Sequence, residues 1–480
     1  MARTDKTDRT EKVIGRTRSV CPECLNVISA EKVLREEGIF LVKTCPQHGT
    51  YEALIWEGDL KSYEAWGGDL KPADRVPAVR SADQGCPYDC GLCEEHERRG
   101  CCVLLEVTSR CNLHCPVCFA GAGEAGSKDV PMKELEGRME YLMSHGGPFN
   151  LQISGGEPTV RDDLPEVIRM GKEKGFTFFQ LNTNGLRLAE EPDYAKKLKE
   201  AGLSCVFLQF DGVDDTVYQV LRGRALWGKK QAAIDACEGT GLGVILVPVV
   251  TPGVNEDQVG KILSYAVRRM PVVRGVHFQP ISYFGRCLEA QGSYRLTIPK
   301  LLSLMEEQTK GQMQAAHFTG GNATNPYCTF QANYLRQDDG SLKPMLHGTA
   351  RAYATSEQAR EFVARQWTGP EGGGACCCGA EPGEPAETCC CGGEPEESSG
   401  GCCCGEDTAQ MQLDTSSLDD FLRKLHNNTF AVSGMLFQDA VNLDLNRLRR
   451  CYILETDSRY GMVPFCAYNL TGQKGTTLYR

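Results

Sequence analysis

Long apolar segments are missing from this chain of 480 residues. A bilayer-spanning helix needs about 20 predominantly apolar residues, and the best candidate, Val244 to Val250, has only the length of a strand. The segment from Met1 to Ser19 contains six basic residues and no apolar core, which excludes a secretory signal peptide. The sequence therefore predicts a cytoplasmic protein without a transmembrane segment.

Basic charge and histidine are also scarce. The formal net charge is −11, and nine acidic residues lie between Glu371 and Asp407, where Lys and Arg are absent. The rest of the chain is close to neutral, at about −2, so no basic surface favours a nucleic-acid partner. Only 8 histidines are present, and no side chain is assigned to general acid–base catalysis on this basis.

Cysteine, by contrast, is abundant, with 26 residues. In a reducing compartment such a count indicates metal or redox chemistry and not a disulfide framework. Nine cysteines form three Cys-Cys-Cys triplets, starting at 376, 389 and 402, within a Gly-, Pro- and Glu-rich stretch. We interpret residues 368–410 as a disordered insertion, with chelation of a thiophilic ion by the triplets as the alternative.

The N-terminal part has the spacing of a small metal site. Cys21-Pro-Glu-Cys24 is followed by Cys45-Pro-Gln-His48, with apolar residues between the two knuckles that indicate short strands. Such pairs are typical of a ribbon that iron or zinc holds together. We predict a metal-binding ribbon over residues 20–80, after a flexible segment of residues 1–19.

Strand and helix patterns alternate over residues 103–310. Predicted strands begin at Val103, Asn150, Phe176, Cys205, Val244 and Val276, each followed by helical periodicity except the last. This order predicts an α/β fold, a partial (β/α)6 barrel with a parallel sheet and outer helices. Chemistry in such sheets collects at the carboxyl ends of the strands.

Three cysteines follow the first of these strands, in the order Cys111-Asn-Leu-His-Cys115-Pro-Val-Cys118. Thiolates at this spacing suit three irons of a [4Fe–4S] cluster, whose fourth iron stays open for a substrate or cofactor. The alternative is a closed cluster or a zinc site completed by a distant cysteine.

Further motifs stand at the ends of the next strands. Glycines allow close approach of a ligand to the backbone, and a glutamate accepts hydrogen bonds from an ammonium group. The candidate cofactor-binding residues are Gly155, Gly156 and Glu157 after the second strand, Thr183 and Asn184 after the third, and Gln209 and Asp211 after the fourth.

This combination resembles the radical S-adenosylmethionine (SAM) superfamily over about residues 103–290. The resemblance implies that Cys111, Cys115 and Cys118 bind the cluster and that SAM chelates its open iron, with the Gly-Gly-Glu motif at the methionyl amine. It also implies an oxygen-sensitive enzyme in which a low-potential electron donor reduces the cluster. Reductive cleavage of SAM then gives a 5′-deoxyadenosyl radical that abstracts hydrogen from an unactivated carbon.

A second triplet with the same spacing, Cys86, Cys90 and Cys93, occupies the segment 81–102. We predict an auxiliary cluster here, with Cys101, Cys102 or His96 as the candidates for a fourth ligand; a zinc knuckle is the alternative.

The C-terminal parts, an extension over 311–367 and a segment over 411–480, hold Cys328, Cys451 and Cys466. These three, with Cys287 as a further candidate, would meet as the ligands of a third cluster. Cys205 and Cys237 occupy apolar positions and are interpreted as core residues.

The ribbon, the paired triplets and the ending Gly461-Met-Val-Pro-Phe-Cys466 are similar to a narrower group, the class D radical SAM methylases with the tetraether lipid synthases. The likeness covers about residues 20–345 and 434–470. It implies alkylation or C–C bond formation on a small pterin-type or a lipid-type substrate. Two alternatives stay open: a radical SAM peptide maturase, for which a winged helix at the N-terminus would argue, and a non-enzymatic electron-transfer or metal-storage protein.

Overall fold

The computed structural model describes residues 11–68, 74–75, 77–287, 295–321, 325–345, 355–369 and 416–480. Two sheets organise them, a small antiparallel sheet at the N-terminus and one large, mainly parallel sheet. Within these ranges, every helix is too short or too polar to cross a bilayer. The predicted insertion lies outside the described residues from 370 onward.

The small sheet is the predicted ribbon, and it starts earlier than expected. Its strands, in spatial and chain order, are β1 (Lys12–Val20), β2 (Val27–Arg35), β3 (Gly38–Cys45) and β4 (Gly49–Glu57), followed by helix α1 (Leu60–Gly67). A flexible segment through residue 19 is therefore wrong from Lys12 onward. The reason is that β1 pairs with β2 along its length and that the Ser19 hydroxyl donates to the Leu443 carbonyl at 2.5 Å.

The central part of the large sheet confirms the predicted α/β pattern. Its strands are β5 (Cys102–Thr108), β6 (Asn150–Gly155), β7 (Phe179–Thr183), β8 (Cys205–Gln209), β9 (Gly243–Val247), the short β10 (Val249–Val250) and β11 (Val273–Pro280). The helices between them are α2 (Met132–Ser144), α3 (Leu164–Glu173), α4 (Leu186–Glu190), α5 (Pro192–Ala201), α6 (Asp215–Arg222), α7 (Trp227–Cys237) and α8 (Val259–Arg268). All neighbouring pairs among these strands are parallel.

The C-terminal segments extend this sheet at both edges. They contribute the strands β12 (Thr329–Arg336), β13 (Leu342–Pro344), β14 (Thr429–Met435), β15 (Ile453–Asp457) and β16 (Gly461–Pro464). The accompanying helices are α9 (Ile298–Gln308), α10 (Ser356–Trp367), α11 (Ser416–Asn428), α12 (Leu445–Leu448) and α13 (Phe465–Tyr468). Because β14 runs parallel to β11 and β15 parallel to β5, the sheet continues the barrel beyond its six predicted strands.

The two faces of the large sheet differ in chemistry. On β5, Val103 and Leu105 belong to the apolar layer that packs on Leu135 and Met139 of α2. The alternate residues of the parallel strands point to the inside of the barrel. There Trp367 of α10 packs edge-on against Phe207 on β8. The same residue fills the space that side chains would need at Gly243 on β9 and Gly275 on β11.

Candidate active site and metal centres

The loop after β5 holds the first cysteine triplet at the carboxyl edge of the sheet. Cys111, Cys115 and Cys118 are half-buried. Two arginines fix the loop backbone: Arg286 donates from Nε to the Cys115 carbonyl at 2.7 Å, and Arg222 donates from Nη1 to the Val117 carbonyl at 2.9 Å. The loop is thus tied to the end of β11 and to α6. We name it the cluster loop, residues 109–118.

The chemistry of these thiols fits an iron–sulfur cluster. Burial raises the pKa of Cys111 to about 12 and also raises that of Cys115. Bound iron reverses this preference, since a coordinating thiol is deprotonated outright. The positive charge of Arg222 beside Cys115 lowers the cost of a thiolate at that position. The cluster loop therefore presents three thiols at which bound irons would supply the missing positive charge.

The glycines of the Gly-Gly-Glu motif are required by the cluster loop itself. Gly155 has φ +126°, and a side chain there would collide with the Thr108 carbonyl; at Gly156 it would collide with the Arg110 carbonyl. The Gly156 amide instead donates to the Thr108 carbonyl at 2.7 Å, and the Glu157 amide to the Arg110 carbonyl at 2.9 Å. The close approach that the sequence suggested is thus made to the protein backbone of the cluster loop.

Glu157 joins the motifs of β6 and β7. Its carboxylate is 2% exposed and accepts from the Thr183 hydroxyl at 2.6 Å and from the Asn184 amide at 2.7 Å. The side-chain amide of Asn184 donates to Asn112 Oδ1 in the cluster loop at 2.7 Å. The structure therefore brings Glu157, Thr183 and Asn184 together beside the cysteines, as their order along the strands suggested.

Gln209, the last residue of β8, and Asp211, two residues later, join one hydrogen-bonded network; Asp211 is buried and Gln209 is half-buried. The Asp211 carboxylate is 0% exposed. It accepts two hydrogen bonds from the Arg222 guanidinium, at 2.7 and 2.8 Å, and one from the Val249 amide at 3.1 Å. The side-chain amide of Gln209 also donates to it. The Lys230 ammonium donates to Gln209 Oε1 at 2.9 Å, and burial lowers its pKa to about 7. With its oxygens engaged in this way, Asp211 positions Arg222, which in turn holds the cluster loop. Sequence reasoning missed Arg222 and Lys230, which lie on helices without any motif.

The second triplet is buried between the ribbon and the large sheet. All three cysteines, Cys86, Cys90 and Cys93, are buried, and Cys86 and Cys90 belong to one apolar cluster. A hydrogen bond with Cys86 and burial raise the pKa of Cys90, and burial raises that of Cys93. The Tyr88 hydroxyl, on the same loop, donates to the Leu25 carbonyl of the ribbon at 2.9 Å. The Tyr479 hydroxyl accepts from the Cys90 amide at 2.9 Å. These contacts seat the second triplet against two other parts of the chain.

The three candidates for its fourth ligand occupy different surroundings. Cys101 and Cys102 are buried neighbours at the start of β5, and Cys102 Sγ accepts from Gln152 Nε2 at 3.2 Å. His96 Nε2 is buried and has no hydrogen-bonding partner among the described residues. Burial lowers the pKa of His96 to about 4, so this ring nitrogen is neutral near pH 7 and able to act as a ligand.

The C-terminal cysteines converge from three elements. Cys328 precedes β12, Cys451 follows α12, and Cys466 lies in α13. Burial raises the pKa of Cys451 to about 12, and each of the other two thiols adds its charge to the environment of Cys466. The Arg447 guanidinium donates to Cys328 Sγ at 3.1 Å. For Cys287, burial and then the charge of Asp439 raise the pKa of the thiol.

The ribbon contains a compact set of four ligands. One potential ligand atom from each of Cys21, Cys24, Cys45 and His48 lies within 4.8 Å of the others. His48 Nδ1 is 3.5 Å from Cys21 Sγ and 3.4 Å from Cys45 Sγ. Three sulfurs and one ring nitrogen in a tetrahedral set are typical of structural zinc, and the same donors suit iron.

Comparisons with known proteins agree with both sites. The model of the radical SAM superfamily matches residues 105–266. A model described as the HMPTM N-terminal zinc ribbon domain matches residues 13–57. The first match includes the cluster loop and the Gly-Gly-Glu motif, and the second includes all four ribbon ligands.

Individual relatives extend the match to the whole chain. The 7,8-dihydro-6-hydroxymethylpterin dimethyltransferase of Methanocaldococcus jannaschii is 34% identical over 476 residues, which cover 95% of this chain and 93% of the relative. A GTP 3′,8-cyclase of Paenarthrobacter nicotinovorans is 30% identical over 43% of this chain and 58% of its own. The crystal structure of Streptococcus suis SuiB bound to S-adenosylmethionine superposes on 45% of this chain and 49% of its own, with a TM-score of 0.37 and 16% identity, and no conclusion rests on it. The near-complete match to the first relative, together with the cluster loop and the ribbon, shows that this chain belongs to the radical SAM superfamily and, within it, to the family of that dimethyltransferase.

Proposed function

We propose that this radical SAM enzyme methylates the ring of 7,8-dihydro-6-hydroxymethylpterin or a close pterin analogue. The match to the Methanocaldococcus jannaschii enzyme over 95% of the chain carries the proposal, because it includes the ribbon, the barrel and the C-terminal segments together. A match confined to the barrel would indicate only the shared radical chemistry.

The inside of the barrel supports a small polar substrate over a lipid chain. Register partners along the sheet place Gln152, Gln180 and Asn182 on one face, together with Glu106. On the other side of the barrel, His277 Nδ1 is 2.9 Å from the Ser433 hydroxyl, which lies across from it on β14. Several of these groups are paired within the protein: Gln152 donates to Cys102 Sγ at 3.2 Å, and Gln180 donates to Asn182 Oδ1 at 2.8 Å. An alkyl chain offers no hydrogen bonds to such a polar lining, whereas a heterocycle with several donors and acceptors does.

The roles that we propose for the residues of this site follow from their positions. Cys111, Cys115 and Cys118 hold three irons, and Glu157 accepts from the methionyl amine of SAM beside the open iron. Thr183, Asn184 and Gln209 lie further along the same edge and contact the ribose, while Gly155 and Gly156 keep the cluster loop close. When reduced, the cluster and SAM together supply a 5′-deoxyadenosyl radical; the protein aims it and excludes water. A low-potential donor in the cytoplasm, not a nucleic acid, completes the set of partners.

The ribbon argues against a peptide maturase. A peptide-binding winged helix was the feature expected of that class, and residues 12–57 form an antiparallel sheet with a metal-ligand set instead. An electron-transfer protein would not need a Gly-Gly-Glu motif whose Glu157 accepts hydrogen bonds from Thr183 and Asn184 next to the cluster loop.

The test is turnover by the full chain with reconstituted clusters. Anaerobic incubation with SAM, a low-potential reductant and 7,8-dihydro-6-hydroxymethylpterin should give 5′-deoxyadenosine and a pterin heavier by one or two methyl groups, detected by mass spectrometry. An unmethylated pterin, with SAM cleaved normally, would contradict the proposed substrate. Assays with GTP and with isoprenoid lipids in the same preparation serve as controls for the other substrate classes.

We further propose that Cys86, Cys90 and Cys93 bind one auxiliary cluster and that Cys328, Cys451 and Cys466 bind another. Changing the last three to serine should lower the iron content by about four per chain, the content of one [4Fe–4S] cluster.

Changing the nine triplet cysteines of the insertion to serine should leave iron and sulfide unchanged. Deleting Thr368 to Asp407 should likewise preserve SAM cleavage, because a loop tolerates a change of length at small entropic cost. Loss of about four irons on changing the triplets would instead assign the third cluster to them.

A further inference from the structure

One carboxyl group inside the barrel has no hydrogen-bonding partner among the described residues. Glu455, at the centre of β15, is 0% exposed, and both of its side-chain oxygens lack a partner. A buried polar group without hydrogen bonds is costly, and such a group in a native fold calls for an explanation. A ligand that donates to both oxygens would provide one.

The register of the sheet directs Glu455 to the inside. It pairs with Leu104 on β5, which pairs with Gln152 on β6, and Gln152 pairs with Gln180 on β7. Register partners on neighbouring strands point to the same face of a sheet. The opposite face of β5 is covered by α2. Glu455, Gln152 and Gln180 therefore form one polar row across the interior.

The neighbouring carboxylates already have cations. Glu106 binds Arg480 at 2.6 Å, and Asp457 binds Arg459 at 3.1 Å. Arg480 and then Arg138 on α2 also act on Glu455 electrostatically, but neither guanidinium hydrogen-bonds it. Arg480 binds Glu106, and Arg138 donates to the Thr456 carbonyl at 3.2 Å and to Glu134 at 2.7 Å. The phenol of Tyr468 is a further titratable group nearby. Among the described residues, Glu455 thus has cations near it but no hydrogen-bond donor on either oxygen.

The position of Glu455 relates it to the reaction centre. Glu455 pairs with Leu104, which lies two residues before Glu106 on β5. Glu455 is therefore one row further than Glu106 from the carboxyl edge of the sheet. The guanidinium of Arg480, which binds Glu106, also lies 5.7 Å from the ring centre of Phe119, directly after the cluster loop. Glu455 therefore lies on the inner face of the barrel, one row below the Glu106–Arg480 pair that adjoins the cluster loop.

We propose that Glu455 anchors the pterin by accepting two parallel hydrogen bonds, one from the ring N3–H and one from the 2-amino group. This inference rests on the proposed function. The amino edge of a pterin presents two donors side by side, as a guanidinium does, and such a pair matches the two oxygens of a carboxylate. Gln152 and Gln180, in the same row, offer amide groups for the other ring nitrogens and the oxygen.

The ionisation of Glu455 provides an independent measurement. Burial and then the charge of Glu106 raise its pKa well above the usual 4.5. Above about pH 4.5 the unfolded chain loses the proton of this carboxyl group, whereas the folded protein without ligand keeps it. The contribution of Glu455 to the free energy of unfolding therefore falls as the pH rises. Two N–H donors favour the carboxylate form. Binding of the pterin should thus release a proton from Glu455.

The test compares the full, cluster-reconstituted protein with Glu455→Gln in binding 7,8-dihydro-6-hydroxymethylpterin by anaerobic calorimetry. The variant should bind about 10- to 100-fold more weakly, the effect of losing charge-assisted hydrogen bonds. Titrations in buffers of different ionisation enthalpy should show proton release with the wild type and not with the variant. Without pterin, the variant should melt at a higher temperature than the wild type, with a difference that grows from pH 5 to pH 8.

Controls separate this inference from the proposed function. Glu166→Gln removes an exposed carboxylate, paired with Arg169 on α3, and should bind the pterin as the wild type does. Glu455→Asp keeps the charge with a shorter side chain and should bind between the wild type and Glu455→Gln. Equal binding by the wild type and Glu455→Gln, with methylation intact, would overturn only the anchor. Failure of the wild type to bind or methylate the pterin would overturn the proposed function and the anchor with it.

Discussion

A protein in which Cys111, Cys115 and Cys118 are all changed to alanine should produce no 5′-deoxyadenosine from SAM. These thiols are the three half-buried sulfurs of the cluster loop, and a cluster that they held would have the open iron that SAM needs. Iron content should fall by about four per chain, while the ribbon and the auxiliary sites keep their metal. Chromatography of the anaerobic reaction with reductant, together with iron and sulfide analysis, measures both effects.

The matched control changes other buried cysteines of the same barrel. Cys205 on β8 and Cys237 on α7 are 0% and 1% exposed and belong to apolar clusters. A Cys205→Ala, Cys237→Ala protein should keep its iron and cleave SAM, because such residues act as small hydrophobes. Cleavage by the cluster-loop variant at the rate of this control would contradict the assignment of the active cluster.

Asp211→Ala should be the most damaging single substitution away from the cysteines. It leaves Arg222 as a buried charge without its partner, a change that costs about 3–5 kcal/mol of folding free energy. Arg222 also supports the Val117 carbonyl, so the cluster loop should loosen and SAM cleavage should fall. Anaerobic urea unfolding followed by circular dichroism, with cluster absorbance recorded in parallel, measures both consequences.

Asp214→Ala provides a neighbouring comparison. Asp214 caps α6, where its carboxylate accepts from the Thr216 amide at 3.0 Å, and losing such a cap costs about 1 kcal/mol. SAM cleavage should be unaffected by that change. If Asp211→Ala were no more destabilising than Asp214→Ala, the buried pair would not be what holds the cluster loop.

The central strands were predictable because each carries its own apolar pattern. Helices follow β7 as the alternating pattern predicted, and β7 itself begins three residues later than the predicted Phe176. The pairing of β14 with β11 and of β15 with β5 was not predictable in this way. Those pairings join residues that are more than 150 positions apart in the sequence. The local sequence of Thr429–Met435 does not indicate which strand it pairs with.

The candidate site shows the same division. The cysteine spacings and the Gly-Gly-Glu motif are local, and the sequence displayed them. Arg222 and Glu455 belong to no sequence motif, because their roles depend on the side chains that surround them after folding. Arg222 meets a buried carboxylate, and Glu455 meets no hydrogen-bond donor among the described residues. Asp211 illustrates the limit, because a polar residue at a strand end does not reveal whether a helix arginine already binds it. Its assignment as a cofactor-binding residue stays a prediction.

The pairing of β14 and β15 with opposite edges of the sheet has a consequence for biosynthesis. A ribosome releases the chain from its N-terminus, so β5 through β11 emerge well before residues 429–457 exist to cover them. During that interval β5 and β11 are bare edges, the kind of surface that recruits other strands and promotes aggregation. One late segment then seals both edges and brings Cys451 and Cys466 into place. Completion of the barrel therefore waits until residues 429–457 have left the ribosome.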